Sequence, residues 1–464
     1  MSPVREIAAW SQLVWFVVVM TLWTTLVFSL PIDPDYTAGE MLDHLIGWQE
    51  TGRLYPALGQ DPTLRVLNYP PLVLLSTRAL VELGIAPLLA GRILNTAGLL
   101  ALVGVVFAWA RSRGSRGAEL AGTIGLLAAS YGVVYGAGQM HVELVAVALT
   151  AGGFWLVASA GDRRAALVGG LLLALGCFAK QSQVVPALAA LGWAWRSKSP
   201  AAGPATAMFA GAGILGCTAI TLAWGVEPWR HILQYTTGSY SLGNLALQFL
   251  SHVAPWIVLL GWVVASVARS RTAAVSDALA WYWAASALWS LAAARIGSGY
   301  PYFLDLQVAT VLWVGPRLFA TPLERSWSWV LALQVAGANV GAVAGAASTL
   351  AAKRDIASNL PAVCSQLGAN GLVLTEEAGL ARACGRRSVM HPFIMTSLAK
   401  RGLWDAAPFE TALRSGAYSP VLLPFEPRAP ARVQRDRWTA GALAAFRDAP
   451  SVTHGPGGLW VLQW

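Results

Sequence analysis

About eleven long apolar stretches fill the chain from Leu13 to Ala347, and the basic residues between them cluster on alternate connections only. A helix of roughly 20 apolar residues crosses a bilayer. Inside lipid, a single segment can form hydrogen bonds to all of its backbone N–H and C=O groups only as a helix. Cytoplasmic loops are enriched in Lys and Arg. The basic clusters are Arg111/Arg113/Arg116, Arg163/Arg164, Arg196/Lys198, Arg269/Arg271 and Arg317/Arg325. The pattern predicts an α-helical polytopic membrane protein with a cytoplasmic N-terminus.

The composition agrees with this class. Of the 464 residues, 56% are hydrophobic and 12% are charged, whereas soluble domains carry about 25% charged residues. The net charge of +9 follows from the basic clusters that set the topology, so we expect no nucleic-acid partner. The first apolar run, residues 13–30, has no clear cleavage site and is expected to be an uncleaved first helix.

The predicted spans leave a long first external loop, residues 31–87. Within that loop, residues 38–52 are expected to form an amphipathic helix with Asp43 and Glu50 on its wet face. The C-terminal part of the chain then lies outside as well. The predicted spans are 12–30, 88–110, 119–137, 142–160, 165–180, 184–195, 204–225, 247–268, 277–294, 303–316 and 327–347.

Residues 69–83 could either span the membrane or lie on it. Arg78 and Glu82 stand one helical turn apart, where they can pair, and burying them in lipid would cost several kcal/mol. A span here would also invert the orientation of all later loops. We therefore expect a helix at the external interface that begins after Pro70–Pro71.

The composition changes after Ala351, where charge, Pro and Gly become frequent. Strand-like runs at 371–377 and 419–425 alternate with helix-like runs, which predicts a small α/β domain. The chain is therefore expected to consist of a transmembrane module, 1–351, which includes the external loop, and an external α/β domain, 352–464.

Several features of the external domain are left as expectations. The last eight residues, GGLWVLQW, are expected to form an edge strand, and the pair Glu376–Glu377 to be solvated. Cys364 and Cys384 could form a disulfide in an oxidising compartment, or remain two buried free thiols. The domain could cover a site on the membrane module, or only stabilise the external face.

Ionisable residues collect near the predicted external helix ends, whereas the inward halves of the helices hold almost none. Arg and Lys match phosphate oxygens, a carboxylate can act as a general base, and two carboxylates can hold a divalent cation. Individually, an arginine could merely anchor a helix end, and a loop acid could be solvated. Their convergence predicts one polar site at the external membrane face. These residues are Asp33, Asp35, Glu40, Asp43, Asp61, Arg92, His141, Glu143, Lys180, Arg295 and Asp305.

An ordered series of motifs resembles the GT-C superfamily of membrane glycosyltransferases over nearly the whole chain. The motifs are DPDYTAGEMLDHLIGWQETGRLY, NYPPL, LLAGRIL, HVELVAVAL, CFAKQSQVVPALA, GYPYFLDL and VLTEEAGLARACGRRSVMHPF. They are most similar to bacterial relatives of protein O-mannosyltransferases and of lipid A aminoarabinose transferases. The resemblance implies transfer of a hexosyl or pentosyl group from a polyprenyl phosphate to a lipid, glycan or protein acceptor. It places this reaction at the outer face of the bacterial cytoplasmic membrane.

The resemblance also implies roles for particular residues. An acid early in the first external loop serves as the base, a role that falls on Asp35 with Asp33 as its rival. The second family acid corresponds to Glu143. If a divalent metal ion is used, Asp35 and Glu143, with His141, would hold it. The residues implied for the donor phosphate and the rest of the substrate are Lys180, Gln181, Arg92, Arg295, Tyr69, Glu40, His141 and Tyr302.

Two positions depart from the family pattern. The usual Asp-Glu pair is replaced by Asp33-Pro34-Asp35, which leaves the base open between two acids. In aminoarabinose transferases a basic residue precedes the Pro pair, whereas Asn68–Tyr69 stands here. This second departure weakens the resemblance to that particular activity.

Other functions stay open. A flippase or other transporter of lipid-linked sugars would favour internal repeats, broken helices and charges near the midplane. Pro186 and Pro255 could bend helices, but no repeat is evident. An O-antigen polymerase or ligase would depend on Arg-rich external loops, whereas the main external loop here is acidic. A non-catalytic envelope scaffold would tolerate the loss of every acid named above.

Overall fold

The computed structural model describes residues 3–60, 63–269, 277–320, 325–367 and 371–464. Asp61 and Arg271, which entered the site and topology predictions, lie outside these ranges. The described chain is mostly helical and carries one small sheet in its last third.

Helices make up most of the first 358 residues. They are, in chain order, α1 (Pro3–Ser29), α2 (Tyr36–Thr51), α3 (Leu72–Glu82), α4 (Pro87–Ser112), α5 (Ala118–Gly125), α6 (Tyr131–Gly136), α7 (Glu143–Ser159), α8 (Arg163–Ala179), α9 (Val184–Arg196), α10 (Ala202–Trp224), α11 (Glu227–Trp229), α12 (Leu242–His252), α13 (Ile257–Arg269), α14 (Ala278–Ser290), α15 (Leu304–Ala320) and α16 (Arg325–Ser358). Short 3₁₀ or π segments lie at Leu126–Ala129, Gln181–Gln183, Arg230–Gln234, Ala254–Trp256, Leu291–Ala294 and Tyr300–Tyr302.

The protein is a multi-pass membrane protein. Within the described ranges, four helices are long and apolar enough to cross a bilayer: α1, α4, α10 and the 329–358 part of α16. The α12–α13 pair, bent by 44°, would make a fifth span if counted as one. The other predicted spans correspond to shorter helices, so helix length and composition do not establish the count of eleven.

Two predicted spans are interrupted, and local chemistry explains each break. The span predicted at 119–137 divides into α5, a 3₁₀ turn and α6, because the Ser130 hydroxyl caps α6 by accepting from the Val133 amide. The span predicted at 247–268 divides at Pro255, which has no amide hydrogen to continue the helical ladder.

The first external loop contains two helices, as the sequence predicts. Asp35 begins α2 by accepting from the Thr37 and Ala38 amides, and Gly52 ends it at a φ of 70°. The second helix, α3, follows the Pro pair, and its Arg78–Glu82 pair is partly exposed with 2.8 Å between Nε and Oε1. With 11 residues, α3 is shorter than a membrane span, and its position at the interface stays a prediction.

The prediction that Asp43 lies on a wet helix face is wrong. Its side chain is fully buried and pairs with Arg382 at 2.5 Å and with His391 at 3.1 Å. Arg382 also reaches Glu50 at 2.7 Å. The C-terminal domain therefore covers this part of α2, and Arg382 and His391 of that domain pair with the acids of the helix.

The C-terminal domain has helices on a five-stranded sheet of order β2-β1-β3-β5-β4. Strands β1, β2 and β3 are parallel, whereas β5 pairs antiparallel with β3 and β4. The strands are β1 (Leu372–Thr375), β2 (Arg387–Ser388), β3 (Val421–Leu423), β4 (Ser451–His454) and β5 (Trp460–Gln463). The helices are α17 (Leu360–Ser365), α18 (Ala378–Ala383), α19 (Pro392–Lys400), α20 (Ala407–Arg414), α21 (Arg432–Arg437) and α22 (Ala440–Arg447).

Two expectations for this domain need correction. The last strand, β5, is internal rather than an edge, because the unpredicted strand β4 pairs with its outer side. Glu376 is buried rather than solvated, since Arg437 and Trp438 both donate hydrogen bonds to its carboxylate. Glu377 pairs with Lys353 near the end of α16.

The first external loop and the C-terminal domain share hydrophobic cores. Val66 packs in the cluster that contains Leu374 and Met390, and Ile32 packs in the cluster around Leu380. These contacts join the loop and the domain into one layer at one end of the helices. The helix α16 continues through the predicted boundary at 351/352 and ends at Ser358.

Cys364 and Cys384 form a disulfide that closes a loop with a sequence separation of 20 residues. In the chain-entropy model a loop of this size stabilises a domain by about 3 kcal/mol. We expect the double substitution Cys364→Ser/Cys384→Ser to lower the free energy of unfolding of the C-terminal domain by about that amount. Limited proteolysis of the full-length protein at increasing urea should then cut the domain at lower urea. Cys217→Ser is the control, and equal urea midpoints in the two variants would contradict the prediction.

Candidate functional site

One cavity of about 840 Å³ lies between one end of the helices, the loop that connects α1 to α4 and the C-terminal domain. It contains most of the residues that the sequence analysis singled out, although they come from distant parts of the chain. The predicted residues that line it are Asp35, Glu40, Tyr69, His141, Glu143, Lys180, Gln181, Arg295 and Tyr302.

Four charged side chains form a continuous row along this cavity. Lys180 Nζ donates to Glu143 Oε1 at 3.1 Å, and Glu143 Oε2 lies 3.0 Å from His141 Nδ1. The other ring nitrogen of His141, Nε2, lies 3.1 Å from Asp35 Oδ1. Two cations and two carboxylates thus alternate in this row. They come from the loop before α2, the start of α7 and the end of α8.

Asp35 is held from several directions. Its carboxylate caps α2, and Oδ2 accepts a hydrogen bond from the Tyr135 hydroxyl at 2.9 Å. Its backbone amide donates to Gln139 Oε1 at 2.9 Å. Because its backbone amide and both carboxylate oxygens are hydrogen-bonded, the Asp35 carboxylate has a fixed position at the cavity.

Electrostatics keep Asp35 and His141 charged. Burial alone would raise the pKa of Asp35, but the charge of His141 and hydrogen bonds from His141 and Tyr135 lower that pKa to about 2. Burial alone would lower the pKa of His141, but Asp35 and Glu143 raise it to about 10. The row is therefore an imidazolium between two carboxylates at neutral pH.

These shifts predict how stability depends on pH. The His141 contribution is complete below its unfolded pKa of about 6.5 and is lost as the pH rises through about 10. The Asp35 contribution is present above about pH 4 and is lost as the pH falls through about 2. We expect the melting temperature of the purified protein to be level from about pH 5 to 6 and to fall steadily from about pH 6.5 to pH 10. His141→Gln should remove most of that alkaline fall, and His454→Gln, at an exposed site, should not. The same alkaline fall in all three proteins would contradict the ion-pair assignment.

Asp33 and Arg92 do not line the cavity and instead pair with each other. Both are buried, with 2.7 Å between Arg92 Nη2 and Asp33 Oδ1. Arg92 also donates to the Leu30 and Ile32 carbonyls, and Asp33 Oδ2 accepts from the Met140 amide. Their hydrogen-bonding capacity is used in joining the end of α1 to α4 and to the loop before α7.

The remaining predicted residues lie on other parts of the cavity wall. Arg295 donates to the Thr236 carbonyl at 2.6 Å, and Gln181 donates through Nε2 to the Asn68 carbonyl at 2.9 Å. The Tyr302 ring stacks on Trp289 with centroids 5.9 Å apart. Asp305, one of the polar residues noted in the sequence, is buried away from the cavity, where Gln183 and Tyr282 donate to it.

Several residues that line the cavity were not predicted from the sequence. Tyr300 contacts the rings of Tyr131 and Tyr135 edge-on, beside Asp35. From the C-terminal domain, Phe393 and Arg437 also line the cavity. Tyr300 had a weak signal in the GYPYF motif, but Tyr131 and Tyr135 lie outside it. The domain residues had no signal, because only the docking of that domain brings them to the membrane module.

The proposed metal ligands, Asp35 and Glu143, lie on either side of His141. Among the residues that the structure describes, no group of three or more His, Cys, Asp or Glu side chains is placed to hold a metal ion. A metal ion would have to displace His141 from a carboxylate. The arrangement therefore does not fit a metal ion held by these side chains, and metal dependence stays a prediction.

Two groups of solved structures share this architecture. ArnT from Cupriavidus metallidurans in the apo state matches with a TM-score of 0.63 and 13% sequence identity, and the match covers 97% of each chain. The oligosaccharyltransferase AglB from Archaeoglobus fulgidus matches with a TM-score of 0.55 and 10% identity, over 97% of this chain and 74% of that chain. Both belong to the GT-C superfamily. This protein has a GT-C fold.

Two of these GT-C structures contain a lipid phosphate. ArnT bound to undecaprenyl phosphate matches this chain with a TM-score of 0.63 and 12% identity, again over 97% of each chain. The AglB structure is a complex with an inhibitory peptide and a dolichol-phosphate. No protein-family model matches the sequence, and no curated protein sequence matches it.

Proposed function

We propose that the protein is a glycosyltransferase that moves a sugar from a polyprenyl-phosphate donor to a lipid, glycan or protein acceptor. The observation that carries this proposal is the row Lys180–Glu143–His141–Asp35 in a single cavity of a GT-C fold. The lipid phosphates in the ArnT and AglB structures support the donor class. The row supplies both a carboxylate for the acceptor and a cation for the leaving phosphate.

The proposed reaction is a single displacement at the anomeric carbon. The acceptor oxygen forms a bond to that carbon while the bond from the carbon to the phosphate oxygen breaks. Asp35 accepts the acceptor's proton, and the phosphate leaves with the bonding electron pair. Because Asp35 is a weak base, proton transfer becomes favourable only once the new bond is forming. The role of His141 is to keep Asp35 ionised and oriented.

Lys180 and Arg295 are the proposed contacts of the departing phosphate. Both line the cavity, and they come from different helix ends. Cations placed where charge develops stabilise a transition state by about 3 kcal/mol each. Glu143 orients the Lys180 ammonium through their 3.1 Å hydrogen bond, so this charge is in position before the substrate binds.

We also propose that the site lies at the external face of the bacterial cytoplasmic membrane, with the N-terminus cytoplasmic. The basic clusters between helices support this orientation. The Cys364–Cys384 disulfide supports it independently, because disulfides persist in oxidising compartments.

The direct test uses the purified protein in lipid nanodiscs. Short-chain polyprenyl phosphates that carry different sugars are incubated with envelope lipids, glycans and proteins, and products are identified by mass spectrometry. We expect a product heavier by one sugar and a matching release of polyprenyl phosphate. Deletion of the gene should remove the same sugar from the cell envelope. Hydrolysis or transport of every donor without any new glycosidic bond would contradict the proposal.

One observation favours a flippase as the second candidate. The helix α12, which lines the cavity, is bent by 44° against α13, and broken helices occur at the binding sites of transporters. Proteoliposomes distinguish the two functions, because a flippase would move a lipid-linked sugar across the bilayer without needing an acceptor.

A further inference from the structure

The cavity wall next to Asp35 contains buried polar atoms without a hydrogen-bond partner. Tyr36 Oη and Glu40 Oε1 are both shielded from solvent; the two side chains interact with each other, and His391 Nδ1 lies 3.7 Å from Glu40 Oε1, but neither oxygen has a well-oriented hydrogen bond. Both residues line the cavity. Buried polar groups are normally paired, so these two oxygens are suited to hydrogen bonds with a bound ligand.

Tyr36 and Glu40 have a fixed position relative to the proposed base. They lie one helical turn apart at the beginning of α2, and Asp35 caps the same helix. One turn rises about 5.4 Å, which is comparable to the width of a pyranose ring. A sugar whose anomeric carbon is close to Asp35 can therefore reach Glu40 with its hydroxyl groups.

The C-terminal domain holds this part of the wall in place. The Arg437 guanidinium lies 4.8 Å from the centre of the Tyr36 ring, and it donates to Glu376 Oε2 at 2.8 Å. Glu376 follows strand β1, which lies between β2 and β3 where the strand order reverses. Arg437 itself lines the cavity, so the Arg437–Glu376 ion pair joins the end of β1 to the cavity wall.

The unpartnered atoms elsewhere in the cavity have the same chemical character. Gln181 Oε1 and Gln248 Oε1 also lack a partner, and the amide group of Gln181 is oriented by its hydrogen bond to Asn68. Together with Glu40, they present oxygens that accept hydrogen bonds. A ligand with hydroxyl or ammonium donors satisfies them, whereas an ionised carboxylate offers these oxygens no hydrogen-bond donor.

We propose that Tyr36 and Glu40, held by Arg437, form the subsite for the transferred sugar, and that it takes a neutral or amino sugar rather than a uronic acid. The inference rests on the proposed function, because it assigns the sugar end of a polyprenyl-phosphate donor. It also gives the C-terminal domain a role in substrate selection, since that domain supplies Arg437.

Binding to the full-length protein tests the subsite without any turnover. Intrinsic tryptophan fluorescence is titrated with three short-chain probes: polyprenyl phosphate, its hexose derivative and its uronic acid derivative. We expect Glu40→Gln to weaken binding of the hexose derivative about tenfold and to leave binding of polyprenyl phosphate unchanged. Tyr36→Phe should act in the same direction, and Glu82→Gln on the exposed face of α3 should change neither. Unchanged binding of polyprenyl phosphate shows that each variant is folded.

The wild-type protein should bind the uronic acid derivative at least tenfold more weakly than the hexose derivative. Equal binding of these two probes, or equal binding of the hexose derivative by Glu40→Gln and wild type, would overturn the subsite. Transfer assays separate this failure from that of the proposed function. If the variants bind as expected but the wild type transfers no sugar, the subsite stands and the transferase proposal fails. If the wild type transfers hexose and both variants match its binding and rate, the transferase proposal stands and the subsite fails.

Discussion

Asp35→Asn should lower the rate of sugar transfer by about 1,000-fold while leaving the protein folded. Loss of a general base costs between about 100-fold and 10,000-fold, and an amide cannot take the acceptor's proton. Asn is also a good helix N-cap, so α2 should still begin at Tyr36. The measurement is the initial rate with a polyprenyl-phosphate sugar in nanodiscs, together with the melting temperature of the variant.

The neighbouring acid is the matched control for this prediction. Asp33→Asn changes a carboxylate two residues away, in the same loop, that does not line the cavity. The rate per folded molecule should therefore stay within a few fold of wild type. If Asp33→Asn were the inactive variant and Asp35→Asn kept more than a tenth of the activity, the assignment of the base would be reversed.

Arg92→Leu should have the largest effect on stability. It removes one partner of a buried ion pair and leaves Asp33 charged in an apolar place, a change that typically costs about 3–5 kcal/mol. It also removes the hydrogen bonds to the Leu30 and Ile32 carbonyls at the end of α1. We expect a fall of several degrees in the melting temperature in detergent, and faster proteolysis of the first external loop.

An exposed ion pair supplies the comparison. Glu82→Gln breaks the Arg78–Glu82 pair on α3, where Glu82 is 64% exposed, and such pairs contribute about 0–1 kcal/mol. Its melting temperature should be nearly unchanged. Similar small losses for Arg92→Leu and Glu82→Gln would show that the Asp33–Arg92 pair is not a structural clamp.

Periodicity and charge were sufficient to predict much of the external layer. The Pro pair and the Arg78–Glu82 spacing predicted a helix on the membrane surface, and α3 begins and ends within a few residues of that prediction. Acids and cations near predicted helix ends indicated one site, and six of these residues line one cavity: Asp35, Glu40, His141, Glu143, Lys180 and Arg295. They lie together because a membrane orders helix ends along one axis, so sequence position gives depth.

Sequence patterns did not predict which charged side chains would pair with each other. Asp43 and Glu376 have the sequence character of solvated acids, but Arg382 and Arg437 bury them by pairing. Asp33 and Asp35 are equally plausible bases in the sequence. They differ in the structure because Arg92 pairs with Asp33, whereas His141 and Tyr135 hold the Asp35 carboxylate at the cavity. A buried charge is stabilised by whichever opposite charge the fold brings to it, and that partner is often hundreds of residues away.

The amino-acid sequence by itself determined that this chain is a helical membrane protein with an acidic loop after its first helix and a change of composition near residue 351, and it placed ionisable residues near the predicted helix ends. Apolar runs and one-sided basic clusters carry that information locally, through the cost of placing charge in lipid. Only the tertiary structure decided which acid faces the cavity, and that the C-terminal domain completes its wall. Those properties depend on packing between distant segments, where contact geometry determines the electrostatic environment of each carboxylate.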